Sequence, residues 1–285
     1  MTTVYLNGEF MPIEEARVPV MDRGFLFGDG IYEVIPVYSR RPFRLREHLQ
    51  RMQASLDAIR LMNPHDAAQW IILIERIIAA ATFEDQSVYL QITRGVDSRR
   101  SHAFPMQPKP TVFLITEQLT VPTPQQREQG ITAVSAIDNR WLRCDIKSIS
   151  LLANILLRQL AVDTGSIETV LFRDGLLTEG AASNIFAIKN GVLLAPKKSH
   201  LMLPGITYDV ILELAATHGL AWQVRDISQA EAGKVDELWM TSSTKEVLPI
   251  VSLDGQAVGA GKPGPAFAAM YGWYQDFKQT VMRND

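Results

Sequence analysis

The stretch RWLRCDIKS, residues 140–148, is the part of the sequence around which the fold is organised. It places Lys147 at the end of an apolar and charged run that predicts a strand, and a helical pattern follows from Leu151. A buried ammonium group is costly unless it is paired or loses its proton, and a lysine with a lowered pKa is a usable amine nucleophile. Such an amine is the starting point for Schiff-base chemistry. Since most lysines beside a helix start are solvated surface residues, the rest of the sequence must decide between these roles.

Composition and charge restrict the class of protein. The chain has 285 residues, of which 47% are hydrophobic and 21% charged, so it has enough apolar material for a sizeable core. The net charge of -3 and the lack of a basic block argue against a nucleic-acid partner. The apolar run from Trp70 to Thr82 is short and interrupted by charge, so no membrane span is expected. A single cysteine, Cys144, and the lack of a secretory signal predict a cytoplasmic protein.

Hydrophobic periodicity predicts both helices and strands in the first half of the chain. A hairpin with an Asn7-Gly8 turn is followed by strands at residues 31–38, 88–93 and 111–116 and by amphipathic helices at 45–59 and 66–81. A polar, proline-containing segment at 121–126 is the predicted linker. It divides an N-terminal α/β domain, residues 1–120, from a C-terminal domain, residues 127–285.

The second half of the chain is richer in hairpin signals. A strand at 131–137 precedes the lysine stretch, Gly165 ends the helix that follows it, and turns at Asp174-Gly175 and Asn190-Gly191 join three strand-like runs. Thr207 is the predicted N-cap of a helix over 208–218. Strands at 221–224 and 237–240 precede a last helix over 265–282. The pattern is α+β and lacks the regular alternation of a doubly wound fold.

Several polar groups suit a phosphorylated cofactor. Glu179 follows a predicted strand and could hold a proton on a heterocyclic nitrogen. Residues 205–207, Gly-Ile-Thr, precede a helix and offer main-chain N–H groups to an anion, and residues 241–244 offer four hydroxyls. Each feature alone has an ordinary explanation as a surface carboxylate, a capped helix or a polar turn. The five histidines are dispersed, so no metal is expected.

Two interpretations stay open from these residues alone. One is a lysine-based enzyme with a phosphorylated cofactor, and the other is a two-domain binding protein without catalysis.

Six motifs in order along nearly the whole chain resemble those of the fold-type IV pyridoxal-phosphate enzymes, and among them the D-amino-acid aminotransferases. They are DRG at 22–24 with FGDGIYE at 27–33, EHLxR at 47–51, RWLRCDIKS at 140–148, TEG at 178–180 with Ser183-Asn184, LxGIT at 203–207, and Thr241-Ser242. The resemblance implies an α+β fold with a smaller N-terminal α/β domain and a larger C-terminal domain that contains a barrel-like sheet.

The resemblance also implies a role for individual residues. Lys147 is expected to form the Schiff base with pyridoxal 5'-phosphate and to move the proton between substrate and cofactor. Glu179 is expected to keep the pyridine nitrogen protonated. The groups expected to hold the phosphate are Arg51, Ile206, Thr207 and Ser243.

A smaller set of residues separates the subfamilies. In the D-alanine enzymes a tyrosine and an Arg-x-His loop from the other subunit bind the substrate carboxylate, and here these match Tyr32, Arg100 and His102. The loop carries one extra residue, so Arg99 competes with Arg100 for this role. Ala181-Ala182 stands where the related enzymes carry serines, which removes hydroxyls near the cofactor.

We therefore expect a cytoplasmic homodimer that converts D-alanine and 2-oxoglutarate to pyruvate and D-glutamate. The alternatives are a branched-chain L-amino-acid aminotransferase or an aminodeoxychorismate lyase on the same fold, and more remotely a binding protein without turnover.

Overall fold

The computed structural model describes residues 2–284, which form two compact units. The first unit contains residues 2–119, 146–151 and 282–284, and the second contains residues 120–145 and 152–281. Residues 146–151, with the lysine, thus pack with the first unit although they follow the predicted linker. The division into domains at 121–126 stays a prediction, and a short helix begins inside that segment.

The first unit is built on a six-stranded sheet. Its strands are β1 (Thr3–Leu6), β2 (Glu9–Pro12), β3 (Gly30–Tyr38), β4 (Arg41–Pro42), β5 (Gln86–Thr93) and β6 (Thr111–Gln118). Its helices are α1 (Arg23–Phe27), α2 (Leu45–Ala58) and α3 (Ala67–Ala80). The strand order is β2-β1-β6-β5-β3-β4, and all neighbouring pairs are antiparallel.

Apolar residues at helical spacing on α2 and α3 meet apolar residues that alternate along the strands. Met52, Leu56, Trp70 and Ile74 are nearly inaccessible and belong to one core cluster with β3 and β5. The side chain of Asp66 caps α3 in a capping box with Gln69, which satisfies main-chain groups that the first turn leaves unpaired. The predicted hairpin and both predicted helices of this unit are confirmed.

The second unit contains a nine-stranded sheet. Its strands are β7 (Ile131–Ile137), β8 (Glu168–Arg173), β9 (Leu176–Gly180), β10 (Asn184–Lys189), β11 (Val192–Ala195), β12 (Trp222–Val224), β13 (Glu237–Ser242), β14 (Glu246–Leu253) and β15 (Gln256–Ala257). Its helices are α4 (Pro124–Gln129), α5 (Leu152–Asp163), α6 (Ile206–Thr217), α7 (Gln229–Ala232) and α8 (Pro265–Phe277), and a π-helical turn follows at Lys278–Met282. The strand order is β12-β11-β10-β13-β14-β7-β8-β9, and β15 pairs with β14.

The sheet curls on itself, since β9 at its end also contacts β10 near its opposite side. The Asp174-Gly175 and Asn190-Gly191 turns have positive φ at both positions, as a two-residue hairpin requires. The prediction of three strand-like runs here is wrong, because a tight turn at 181–183 separates β9 from β10 and makes four strands.

The strand predicted over residues 140–148 is also wrong. This stretch is irregular because charged side chains bind locally: Arg140 pairs with Asp138 and Arg143 pairs with Asp145. A second correction concerns α6, whose N-cap is Gly205, so that Thr207 lies within the first turn. The last helix ends as an α-helix at Phe277, before the predicted end at 282.

None of the helices within residues 2–284 is long and apolar enough to cross a membrane.

Candidate active site

Lys147 is held against the edge of β3 in the first unit. The main-chain N–H of Tyr32 donates to the carbonyl of Lys147 at 2.9 Å, and Ser148 forms a β-bridge with Ile31. The N–H of Lys147 donates to Ser55 Oγ on α2 at 3.2 Å. Lys147 Nζ lies 4.0 Å from the centroid of the Tyr32 ring, a cation–π contact. The structure thus brings together two of the predicted site residues, the amine and the tyrosine.

Glu33, the next residue on β3, binds two side chains of α2. It is 1% exposed and accepts hydrogen bonds from Arg51 Nε at 2.8 Å, Arg51 Nη2 at 2.7 Å and His48 Nδ1 at 2.8 Å. Burial raises the pKa of Glu33, but the charge and hydrogen bonds of Arg51, together with His48, outweigh burial and hold the pKa far below its usual range. The phosphate-binding arginine predicted from the sequence is therefore oriented by a buried carboxylate.

His48 is fully buried and close enough to Lys147 to feel its charge. Burial lowers the pKa of His48, and the positive charges of Arg51 and Lys147 lower it further, against the opposing effect of Glu33. The ring is thus neutral near pH 7, with its Nδ1 proton on Glu33 and a buried Nε2 that has no protein partner among the described residues.

Arg100 and His102 lie together on one aromatic ring of the first unit. The Arg100 guanidinium is 5.1 Å from the centroid of Phe27, and the His102 ring is 5.4 Å from it in an edge-on arrangement. Both side chains are exposed on this chain, as is Arg99. Two groups that suit a carboxylate are therefore presented side by side.

Glu179 lies in the second unit, at the centre of a buried charge network. Arg140 Nη1 donates to Glu179 Oε1 at 2.7 Å, and Arg140 also binds Asp138 through Nε and Nη2, each at 2.9 Å. Arg173 forms a further ion pair with Asp138 at 3.0 Å. Burial raises the pKa of Glu179 to about 7, against the lowering effect of Arg140. A nearby cation would stabilise the ionised form of this carboxylate, which suits a protonated ring nitrogen.

Asn184 connects Glu179 to the start of α6. Its Nδ2 donates to Glu179 Oε2 at 3.3 Å and to the carbonyl of Leu203 at 3.1 Å, while the N–H of Leu203 donates to Glu179 Oε2 at 3.1 Å. Gly205 packs so closely on Asn184 that a side chain at this position would clash. The glycine is therefore required where the chain turns into α6.

The start of α6 fits an anion. No side chain caps this helix, and its first residues Ile206 and Thr207 are both buried. Thr241 pairs in register with Asn184 on the neighbouring strand, and its buried hydroxyl has no partner among the described residues. Ser243 follows at the end of β13 and is half-buried. An uncapped helix end, an unpartnered hydroxyl and a buried carboxyl suit a group with an anionic end and a basic ring nitrogen, such as pyridoxal phosphate.

Glu33, His48, Arg140 and Asn184 stand in the sequence motifs, but the sequence did not reveal what they do. A usable signal existed for Glu33, because it occupies the buried face of β3 between Ile31 and Ile35, and a carboxylate there needs a partner. Asp138 and Arg173 lie outside the motifs, and only the folded chain pairs them.

Comparison with known proteins agrees with this geometry. A family model described as "Amino-transferase class IV" matches residues 30–253. The D-alanine aminotransferase of Bacillus licheniformis is 37% identical over 262 residues, which cover 92% of this chain and 92% of that protein.

Solved structures share the fold over nearly the whole chain. The branched-chain amino acid aminotransferase of Escherichia coli has a TM-score of 0.88 at 27% identity and covers 95% of this chain and 92% of that one. The T.th. branched-chain amino acid aminotransferase with pyridoxamine 5'-phosphate has a TM-score of 0.90 at 23% identity, covers 99% and 95%, and shows the fold alone. The fold class expected from the sequence is confirmed. This chain belongs to the amino-transferase class IV family and is an aminotransferase.

Proposed function

We propose that this aminotransferase moves the amino group between D-amino acids, D-alanine among them, and 2-oxo acids such as 2-oxoglutarate. The observation that carries the proposal is the amine of Lys147 on the Tyr32 ring, because it combines a nucleophile with a residue that matches the carboxylate-binding tyrosine of the D-alanine enzymes. The D-alanine aminotransferase relative, at 37% identity over nearly the full length, supports the same substrate class.

Pyridoxal 5'-phosphate is the cofactor, and when bound it supplies an electron-accepting ring that stabilises negative charge at the substrate α-carbon. Lys147 holds the cofactor through Nζ and then moves the proton at the α-carbon. Glu179, fixed by Arg140 and Asn184, keeps a proton on the ring nitrogen. The groups that we propose for the phosphate are Arg51, Ile206, Thr207 and Ser243.

Tyr32, Arg100 and His102 bind the substrate carboxylate in this proposal. A guanidinium beside an imidazole offers charge and directed donors to the carboxylate. We place Arg100 rather than Arg99 in this role, because the Arg100 side chain shares the Phe27 ring with His102.

The working enzyme in this proposal is a cytoplasmic homodimer in which one protomer lends Arg100 and His102 to the site of the other. Two features support the dimer. The carboxylate-binding pair is exposed, and α5 exposes Leu152, Ile155 and Leu156 at 70%, 61% and 62%. A helix with an apolar exposed face is typical of an interface.

A second candidate is transamination of branched-chain L-amino acids. It is favoured by the likeness to the E. coli branched-chain enzyme at 27% identity. The pair Arg100 and His102 argues for the first candidate, because it matches the carboxylate-binding loop of the D-alanine enzymes.

One assay separates the candidates. Purified holoenzyme receives 2-oxoglutarate with either D-alanine or L-leucine, and the glutamate formed is resolved by handedness. We expect D-glutamate from D-alanine and little product from L-leucine, whereas L-glutamate from L-leucine would establish the second candidate. Lys147→Ala should be inactive while the exposed control Lys262→Ala keeps full activity. Borohydride should fix the cofactor to the peptide that contains Lys147, and a colourless, unlabelled protein would refute both candidates.

A further inference from the structure

Arg23 is a buried arginine that the proposed function does not use. It is the first residue of α1 and only 3% exposed. Burying a guanidinium is costly unless its donors are satisfied. Here the partners of the guanidinium are a carboxylate and main-chain carbonyls, so this charge is held in one orientation.

Three consecutive carbonyls of one loop converge on Arg23. Nη1 donates to the carbonyls of Ser101 at 2.5 Å and Ala103 at 3.2 Å, and Nη2 donates to that of His102 at 3.3 Å. The residues involved are the Arg100-Ser101-His102 run and its successor. Because the planar guanidinium has donors in fixed directions, it imposes one curvature on the main chain that carries the two carboxylate-binding side chains.

The other side of Arg23 is attached to the start of β3. Arg23 Nε donates to Asp29 Oδ2 at 2.8 Å, and Arg94 binds the same carboxylate through Nε at 2.8 Å and Nη2 at 3.0 Å. Burial raises the pKa of Asp29, but the hydrogen bonds from Arg94 and Arg23 outweigh burial and hold the pKa below its usual range. Asp29 immediately precedes β3, which carries Tyr32. One arginine therefore joins the loop to the strand of the third carboxylate-binding residue.

Phe27 supports the side chains of the same loop. It is four residues after Arg23 on α1, so both residues lie on one face of this helix, and the Arg23 guanidinium is 4.9 Å from the Phe27 ring. The same ring contacts Arg100 and His102. Arg23 thus fixes the main chain of the loop, and Phe27 fixes the direction of its two functional side chains.

We propose that Arg23 and Phe27 are positioning residues that set the Arg100–His102 pair for the substrate carboxylate. The inference rests on the proposed role of that pair. Neither residue is proposed to touch the reacting atoms, so substitution should reduce recognition of the carboxylate and leave the chemistry at the cofactor intact.

Two aminooxy compounds test this in the holoenzyme. Aminooxyacetate and methoxyamine carry the same reactive group, but only the first has a carboxylate, so the ratio of their reaction rates with bound cofactor reports carboxylate recognition. The rates are followed by the cofactor's absorbance in wild type, Arg23→Lys, Phe27→Leu and Arg100→Ala. Arg46→Lys, an exposed arginine of the same unit, is the matched control.

We expect the wild type and Arg46→Lys to favour aminooxyacetate. Arg23→Lys and Phe27→Leu should lower this preference roughly tenfold, as a small misplacement of a binding group does, without slowing methoxyamine. Hydrogen exchange at residues 96–104 should also become faster in Arg23→Lys. With D-alanine, KM should rise more than kcat falls.

The contrary results are distinct. If Arg100→Ala loses the preference while Arg23→Lys and Phe27→Leu keep it, the positioning role is refuted and the proposed function stands. If Arg100→Ala keeps the preference, the carboxylate-binding role of the loop fails, and the inference fails with it. An equal loss of rate with both compounds would assign Arg23 a general structural role and overturn the inference. Should Arg23→Lys not fold, the rate ratio in Phe27→Leu decides between these outcomes.

Discussion

Arg51 binds Glu33 through two parallel hydrogen bonds, with Nε 2.8 Å from Oε1 and Nη2 2.7 Å from Oε2. This two-point pair fixes the plane of the guanidinium, and it joins α2 to the strand that also carries Tyr32. The carboxylate is buried, so the pair is not screened as a surface ion pair would be. The proposed phosphate-binding arginine is thus held before any cofactor arrives.

Substitution of Glu33 should therefore affect both stability and cofactor binding. Glu33→Gln leaves Arg51 without its counter-charge, and we expect the free energy of unfolding to fall by about 3 kcal/mol, as is usual for a broken buried pair. We also expect a higher Kd for pyridoxal phosphate, because Arg51 loses its fixed orientation. Urea unfolding and an absorbance titration measure the two effects. Glu47→Gln, on the same helix but half exposed, is the control, and equal behaviour of both variants would contradict the proposed orientation.

The raised pKa of Glu179 predicts how stability depends on pH in the cofactor-free protein. An ordinary glutamate titrates near 4.5, and burial raises the pKa of Glu179 to about 7, so the folded state binds this proton more tightly than the unfolded state. The stabilisation is complete below about pH 4.5 and is lost as the pH rises through about 7. We expect this carboxyl to contribute a loss of roughly 2 to 3 kcal/mol between about pH 5 and pH 8.

Urea unfolding of the wild type and Glu179→Gln across that pH range isolates the contribution, because the other titrating groups are common to both proteins. The variant should have the flatter profile. Bound cofactor should flatten the wild-type profile as well, since a cationic ring nitrogen stabilises the carboxylate. Parallel profiles would show that Glu179 is already ionised in the folded protein without cofactor.

The parts of the fold that the sequence predicted depend on neighbours along the chain. The hairpin at Asn7-Gly8 and helices α2 and α3 follow from turn chemistry and periodicity within a few residues. The stretch that contains Lys147 was mistaken for a strand, because its conformation is set by contacts far away in sequence. The N–H of Lys147 bonds to Ser55, 92 positions earlier.

The same limit applies to the functional groups. Lys147, Glu179 and Arg51 were found because they stand in recognisable motifs, whereas the partners that orient them have no local signal. Arg23 and the carbonyl of Ser101 are 78 residues apart, and no periodicity relates them. The cap of α6 was assigned to Thr207 from residue preference, but tight packing on Asn184 makes the glycine at 205 the N-cap.

The neighbouring arginines of the carboxylate-binding loop should differ in effect. Arg100 lies on Phe27 beside His102, so Arg100→Ala should raise KM for D-alanine strongly, by on the order of tenfold for the loss of one charged hydrogen bond. Arg99→Ala should change KM little. Steady-state kinetics with D-alanine at saturating 2-oxoglutarate measures both. The reverse order of effects would transfer the role to Arg99 and shift the loop by one residue.

A mixed dimer tests whether the loop acts across the subunit interface. One protomer carries Lys147→Ala and the other carries Arg100→Ala with His102→Ala, and two different tags allow the mixed dimer to be purified. Each homodimer should be nearly inactive. If the loop serves the partner, one site of the mixed dimer combines an intact lysine with an intact loop, and we expect about half of the wild-type activity per dimer. If the loop serves its own chain, neither site is complete and the mixed dimer stays inactive. Sedimentation of the wild type provides the control, because a monomer with full activity would exclude any exchange of loops.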